Sequence, residues 1–174
     1  MLKGILGLAG AAALSGCASV AANGGGLPLV QTPQSVSYET GPCFGACPVY
    51  RVTVRTDGTG VFEGRRFTSV EGERRFTVTP AQYNAFVAQL APVRPARGDV
   101  RYDPSTCGSF ATDLPTVQVA WSEGADSQSL YYNHGCDMEK NRALSERLRD
   151  APKLLPIADF ILAPGAQPFT GKGG

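Results

Sequence analysis

The stretch YRVTVRTDGTGVFE, residues 50–63, decides how this chain folds. Tyr50, Val52 and Val54 alternate with Arg51, Thr53 and Arg55, the period of two that a strand shows when one face is buried and the other is wet. Asp57 and Gly58 supply a turn, and residues 59–63 form the return strand. Working outward, Val36 and Tyr38 mark a short strand before it. After it, a second hairpin turns at Glu71 and Gly72, which sets Phe67 opposite Phe76 as an aromatic cross-strand pair. Thr79, Pro80 and Gln82 then spell a helix start: Thr79 caps, Pro80 sits where its missing donor is harmless, and Gln82 completes a capping box. Tyr83, Phe86, Val87 and Leu90 share one face of that helix, and Pro92 stops it.

Residues 93–115, rich in Pro, Gly and Asp, read as a long connection. Val117, Val119 and Trp121 form a strand, residues 123–126 a turn, and Leu130 and Tyr132 the return strand. Asp137 is placed to cap a helix running to about Asp150 with Leu144 and Leu148 inward, and residues 154–162 form a last, strongly apolar helix. Two β-rich halves, each closed by a helix, give an α+β fold: an antiparallel sheet of hairpins with two or three helices packed on one face, braced by disulfides.

The first seventeen residues carry an address rather than a fold. Lys3, an apolar run from Gly4 to Leu14, and then Leu14, Ser15, Gly16 and Cys17 resemble a bacterial lipoprotein signal with its lipobox. The run is too short to span a bilayer as a mature helix. The resemblance implies cleavage after residue 16 and acylation of Cys17, with palmitate among the chains, and several chains on one residue make attachment permanent. Ala18 stands after the cysteine where aspartate does not, which in lipoproteins of this kind goes with sorting to the outer membrane, facing the periplasm. Residues 17–33, with three consecutive glycines and two prolines, form a flexible tether with a coil dimension of roughly 22 Å. The globular domain is expected over residues 34–162, and a Gly-, Pro- and Lys-containing tail over 163–174 is expected to be disordered.

Lysine and arginine total 16 against 15 aspartates and glutamates, and loss of Lys3 leaves 15 against 15. That balance argues against a nucleic-acid partner, which would require a basic excess. Five cysteines are present. Cys17 takes the odd one, leaving Cys43, Cys47, Cys107 and Cys136 in an exported chain where thiols oxidise. Sequence alone permits three connectivities. The favoured one joins Cys43 to Cys47, because Gly45 lets a five-residue loop turn back, and Cys107 to Cys136, because both lie in irregular segments.

Gly41, Pro42, Cys43, Phe44, Gly45, Ala46, Cys47, Pro48, Val49 and Tyr50, a following strand with Asp57 and Gly58, and later Asp113, Leu114 and Pro115 resemble domain-of-unknown-function family 6438, over roughly residues 35–162. The resemblance implies an exported or lipid-anchored globular domain and brings no catalytic residues. It also implies that Cys107 and Cys136 are an addition to the core motif, in keeping with the pairing above.

Four site chemistries are open to these residue types. A thiol oxidoreductase at Cys43 and Cys47 lacks the two-residue spacing and the helix N-terminus that lower a thiol pKa. Zinc held by Cys43, Cys47, Cys107 and either Cys136 or His134 has suitable ligand types without two close pairs. A hydrolase would need His134, the only histidine, with Asp137 as orienter and Ser105 or Ser109 as nucleophile, yet no Gly-x-Ser-x-Gly elbow is present. Arg65, Arg66, Arg74 and Arg75 suggest an anion patch, but the register puts Arg65 and Arg74 on one face and Arg66 and Arg75 on the other. The reading is therefore a membrane-anchored accessory or binding module with an envelope-protein or cell-wall partner, no cofactor, no metal and no catalytic residue. The alternative is an envelope enzyme using His134 or the Cys43/Cys47 pair.

Overall fold

The hairpin at residues 50–63 lies within a seven-stranded sheet. In the computed structural model, residues 32–162 are described; the expected signal, Cys17, most of the tether and the 163–174 tail lie outside them. The elements are β1 (Ser35–Thr40), β2 (Val49–Arg55), β3 (Thr59–Arg66), β4 (Gly72–Thr77), α1 (Pro80–Leu90), β5 (Gly98–Tyr102), β6 (Thr116–Glu123), β7 (Asp126–Asn133), α2 (Arg142–Asp150) and α3 (Ala158–Ile161). They pair in the order β4-β3-β2-β1-β6-β7-β5. All neighbours are antiparallel except β5 and β7.

Alternation fixes which face is covered. Val36, Tyr38, Tyr50, Val52, Val54, Phe62, Val117, Val119, Trp121, Leu130 and Tyr132 point to one side and form a single apolar cluster with Tyr83, Phe86 and Leu90 of α1, Leu148 of α2, and Leu155 and Ile157 beyond it. The helices therefore lie on one face, as the alternating strands require. The other face is polar. Glu73, Glu63, Arg51, Glu39, Gln118, Tyr131 and Arg101 line up across the seven strands. Glu39 bridges Arg51 and Arg65 at 2.5 Å each, and Arg101 stacks over the Tyr131 ring at 4.1 Å.

Helix α1 begins as its sequence dictates. Thr79 Oγ1 accepts from the Gln82 backbone N–H, and the Gln82 side chain accepts from the Thr79 N–H at 2.9 Å. Two contacts fasten the helices to the sheet and to each other. The buried Tyr38 hydroxyl donates to the Leu148 carbonyl at 3.0 Å, near the end of α2 where carbonyls lack partners within the helix. Gln89 donates to the Arg147 carbonyl, and Arg147 donates back to the Gln89 carbonyl.

Five expectations are corrected. The second hairpin does not set Phe67 against Phe76: β3 and β4 pair Gly64 with Gly72 and Gly60 with Phe76. Residues 67–71 fold over the end of β3, where Ser69 and Val70 donate to the carbonyls of Ile161 and Phe160. Gly64 permits this close approach, because a Cβ there would lie 1.7 Å from the Val70 carbonyl oxygen. Phe67 is left in the left-handed region (φ 56°) with its ring against the Arg66 guanidinium. In the same register Arg74 lies opposite Phe62 on the helix side while Arg65 reaches Glu39 on the open side, so those two arginines do not share a face. An inward-pointing charge on an edge strand also discourages strand addition there.

Residues 93–115 are not wholly irregular, since they contain β5, an edge strand exposed along most of its length. The last helix over 154–162 is broken into a 3-10 turn at Ala151–Leu154 and the single turn of α3. Pro156 holds Leu155 extended (ψ 151°) and so prevents a continuous helix. Finally, Asp137 caps no helix: α2 starts five residues later behind Asn141, which makes no side-chain cap.

Gly64→Ala should separate the 67–71 loop from β3. A loss of about 1–3 kcal/mol, typical of overpacking, is expected in denaturant unfolding, with Gly72→Ala affected through its positive φ rather than through a clash.

Candidate functional site

The strand ends gather four loops at one end of the sheet: 41–48 between β1 and β2, 67–71 between β3 and β4, 103–115 between β5 and β6, and 134–141 after β7. Both disulfides lie here. Cys43 is joined to Cys47 (Cα separation 5.8 Å) and Cys107 to Cys136 (5.4 Å), the connectivity read from the sequence.

The two pieces of the sequence motif meet at this end. Phe44 N–H donates to the Asp113 carbonyl at 3.1 Å, and Gly41 N–H donates to the Thr116 carbonyl at 2.8 Å. Thr40 Oγ1 donates to the Pro48 carbonyl and accepts from Tyr50 N–H, closing the base of the small ring. Residues 107–111 are then laced to 133–137. Asp137 takes up a left-handed conformation (φ 41°), and its carboxylate accepts from Ser109 N–H (2.7 Å), Gly108 N–H (3.1 Å) and the Ser109 hydroxyl. Those donors, Ser109 foremost, hold its carboxyl below the usual carboxylate range. Gly135 is required where it stands, because a Cβ would meet the Ala111 carbonyl oxygen at 1.9 Å.

The expected hydrolase set does not assemble. Ser105 donates to Asp103 and Ser109 to Asp137, so neither hydroxyl reaches His134. His134 is buried instead, with Nδ1 2.7 Å from the hydroxyl of Ser145 on α2 and its ring edge-on to Tyr132. Burial first, and then the Arg149 charge, push its pKa down to about 4, so the imidazole is neutral at pH 7. Ser145 was missed in the sequence; the only available signal was its place between Leu144 and Leu148 on the inward stripe of α2.

The zinc set is likewise divided. The sulfurs of Cys107 and Cys136 lie within 4.8 Å of an Asp137 oxygen, but both are closed in a disulfide, and Cys43 and Cys47 form a separate ring. Metal binding and nucleophilic attack both require thiolate. The four arginines do not converge: Arg65 pairs with Glu39 and Glu63, Arg66 lies against Phe67, and Arg75 pairs with Glu73. Large apolar side chains are exposed at the loop end among polar and charged ones. Phe44 and Met138 project from it, and a shallow groove of about 420 Å³ runs beside Met138, lined by Phe110 and Ala111 together with Ser109, Asp137, Glu139 and Lys140.

His134 binds its proton less well folded than unfolded, so stability is complete above the unfolded pKa of about 6.5 and declines as pH falls toward 4, by up to about 3 kcal/mol. Urea unfolding at pH 7.0 and 4.5 should show this loss in the native chain, and His134→Gln should flatten it. The two bridges differ in what they contribute. The Cys107–Cys136 link closes the longer loop and contributes about 3.6 kcal/mol on the chain-entropy model, against about 2 for the five-residue ring. Paired Cys→Ala substitutions at 107 and 136 should lower the melting temperature more than those at 43 and 47.

The search of characterised proteins returned no match. Residues 34–152, more than half of the chain, match the family described as a domain of unknown function (DUF6438), and the chain belongs to that family.

Proposed function

We propose that this protein is a lipid-anchored envelope module, acylated on Cys17, held on the periplasmic side of an outer membrane, and acting through a binding or accessory role rather than catalysis. The observation that carries this reading is the closure of all four cysteines of the domain into two disulfides. Such pairing suits an oxidising compartment and leaves the fifth cysteine, in its lipobox setting, as the one for modification. No helix among the described residues is long and apolar enough to cross a membrane, so attachment through acyl chains supplies the anchor in this reading.

The non-enzymatic part is supported by where the reactive groups go. The imidazole of His134 is shielded by α2 and bonded to Ser145, and Asp137 is occupied by three donors from the 108–109 loop. A general base needs access to the proton that it abstracts. Cys43 and Cys47 lead into β2 rather than a helix, so no helix dipole favours a thiolate at that ring.

The test is metabolic labelling with an alkynyl palmitate in a bacterial host with an outer membrane. The native chain should label and sediment with membranes, and Cys17→Ser should do neither. Thiol titration of the denatured mature protein should find no free thiol before reduction and four after it. An unlabelled chain that fractionates with the cytosol, or free thiols in fresh protein, would end this reading.

A further inference from the structure

We propose that the loop end of the sheet is a docking surface for a second envelope protein, which buries Phe44, Phe67 and Met138 against an apolar patch of its own. This rests on the envelope reading above and adds the face used and the chemistry of the partner.

Five large apolar side chains are exposed among the described residues, and the three most exposed belong to this end: Phe44 at 88%, Met138 at 51% and Phe67 at 50%. Their loops fall at the same ends of β1, β3 and β7. The core gains nothing from them, since a polar residue at each position would leave the apolar cluster intact. Each also lies at a backbone reversal. Phe44 precedes Gly45 (φ 142°), Phe67 is itself left-handed (φ 56°), and Met138 follows Asp137 (φ 41°). A left-handed non-glycine residue costs roughly 1–2 kcal/mol, so Phe67 is held outward against its own preference.

The tips are also fixed. Cys43–Cys47 and the Asp113 carbonyl hold Phe44, and Cys107–Cys136 with the Asp137 carboxylate hold the segment bearing Met138. Ser69 and Val70, bonded to the α3 segment, hold the loop that starts at Phe67. A loop backbone already held in place loses little entropy on association, and aromatic residues and methionine are enriched at interface centres. The groove lined by Met138, Phe110 and Ala111 adds a receiving concavity next to the Met138 projection.

Two observations select a protein over the anchoring bilayer as the occupant. The chain enters the domain at the opposite end of the sheet, where the Tyr83 hydroxyl fastens the Pro33 carbonyl. The six residues of β1 then carry the loops about 20 Å farther from that point. Charge points the same way. The four loops contain Glu71, Asp103, Asp113, Asp137 and Glu139 against Lys140, and adding the neighbouring Arg66, Arg101 and Arg142 still leaves four cations to five anions. Nothing there favours an anionic lipid surface.

The full-length chain, carrying photoreactive benzoylphenylalanine at position 44, 67 or 138, or at Gln118 or Ser127 as controls, is irradiated in cells. One discrete protein adduct, shared by the three loop positions and absent from both controls, is expected. With that partner purified, Phe44→Ser together with Met138→Ser should weaken binding at least about tenfold at unchanged melting temperature, while a Gln118 substitution leaves binding intact. Absence of a shared adduct, equal crosslinking at the controls, an adduct with a second copy of this chain, or loop-dependent sedimentation of Cys17→Ser protein with phosphatidylglycerol vesicles would overturn the proposal. Palmitate labelling of the same cells separates the two readings. A labelled chain without the adduct removes the docking surface alone, and an unlabelled chain with the adduct removes the anchor alone.

Discussion

The structure depends on β1 lying at the centre of the sheet. It pairs with β2 on one side and with β6 on the other, so six residues join three strands to the left and three to the right. Val36 lies between Val54 and Trp121, and Tyr38 between Val52 and Val119, all fully or almost fully buried. Without β1, β4-β3-β2 and β6-β7-β5 would each be a three-stranded sheet with an open edge, which is a weak arrangement in water. The Tyr38 hydroxyl then carries the same strand's influence to α2 through the Leu148 carbonyl, across 110 residues of chain.

Holding the centre in this way has a consequence at the strand ends. Every loop at one end must turn within a narrow space, and close backbone approaches there use glycine. Gly64 admits the Val70 carbonyl, and Gly135 admits that of Ala111. Disulfides and the Asp137 carboxylate then fix segments that have no regular hydrogen bonding of their own. Rigidity at this end therefore comes from crosslinks and close contacts rather than from a second apolar core. It is what makes exposed Phe44 and Met138 meaningful as a surface, since the same side chains on a mobile loop would lose more entropy on being held by a partner.

Legibility in the sequence followed burial. Strands β2, β6 and β7 were readable because alternate residues face opposite solvents, and α1 because Thr79, Pro80 and Gln82 act through bonds local to the first turn. Strand β5 was not readable, since its side chains meet water along most of its length and show no alternation of apolar and polar residues. The β3–β4 register escaped for a related reason. Matching Arg-Arg-Phe on the two arms suggested one pairing, while packing of residues 67–71 against Phe160 and Ile161 selected another. The bridge partners were legible because a five-residue ring with a flexible member leaves the other two cysteines to each other. Membership of the family was carried by residues 41–50 and 113–115, which the structure then joined through Phe44 and Asp113.

By itself the sequence determined the α+β composition, the face each long strand buries and the start of α1, and favoured one cysteine pairing among three, because these rest on residues near one another in the chain or on a two-way choice of solvent. Tertiary structure alone decided the strand order with β1 at its centre, the turn of Asp137 toward Gly108 and Ser109, the burial of His134 against Ser145, and the gathering of Phe44, Phe67 and Met138 at one end. Those outcomes set residues tens of positions apart against one another, and which pairs meet is chosen by how the two halves share a core rather than by any preference that a short segment carries.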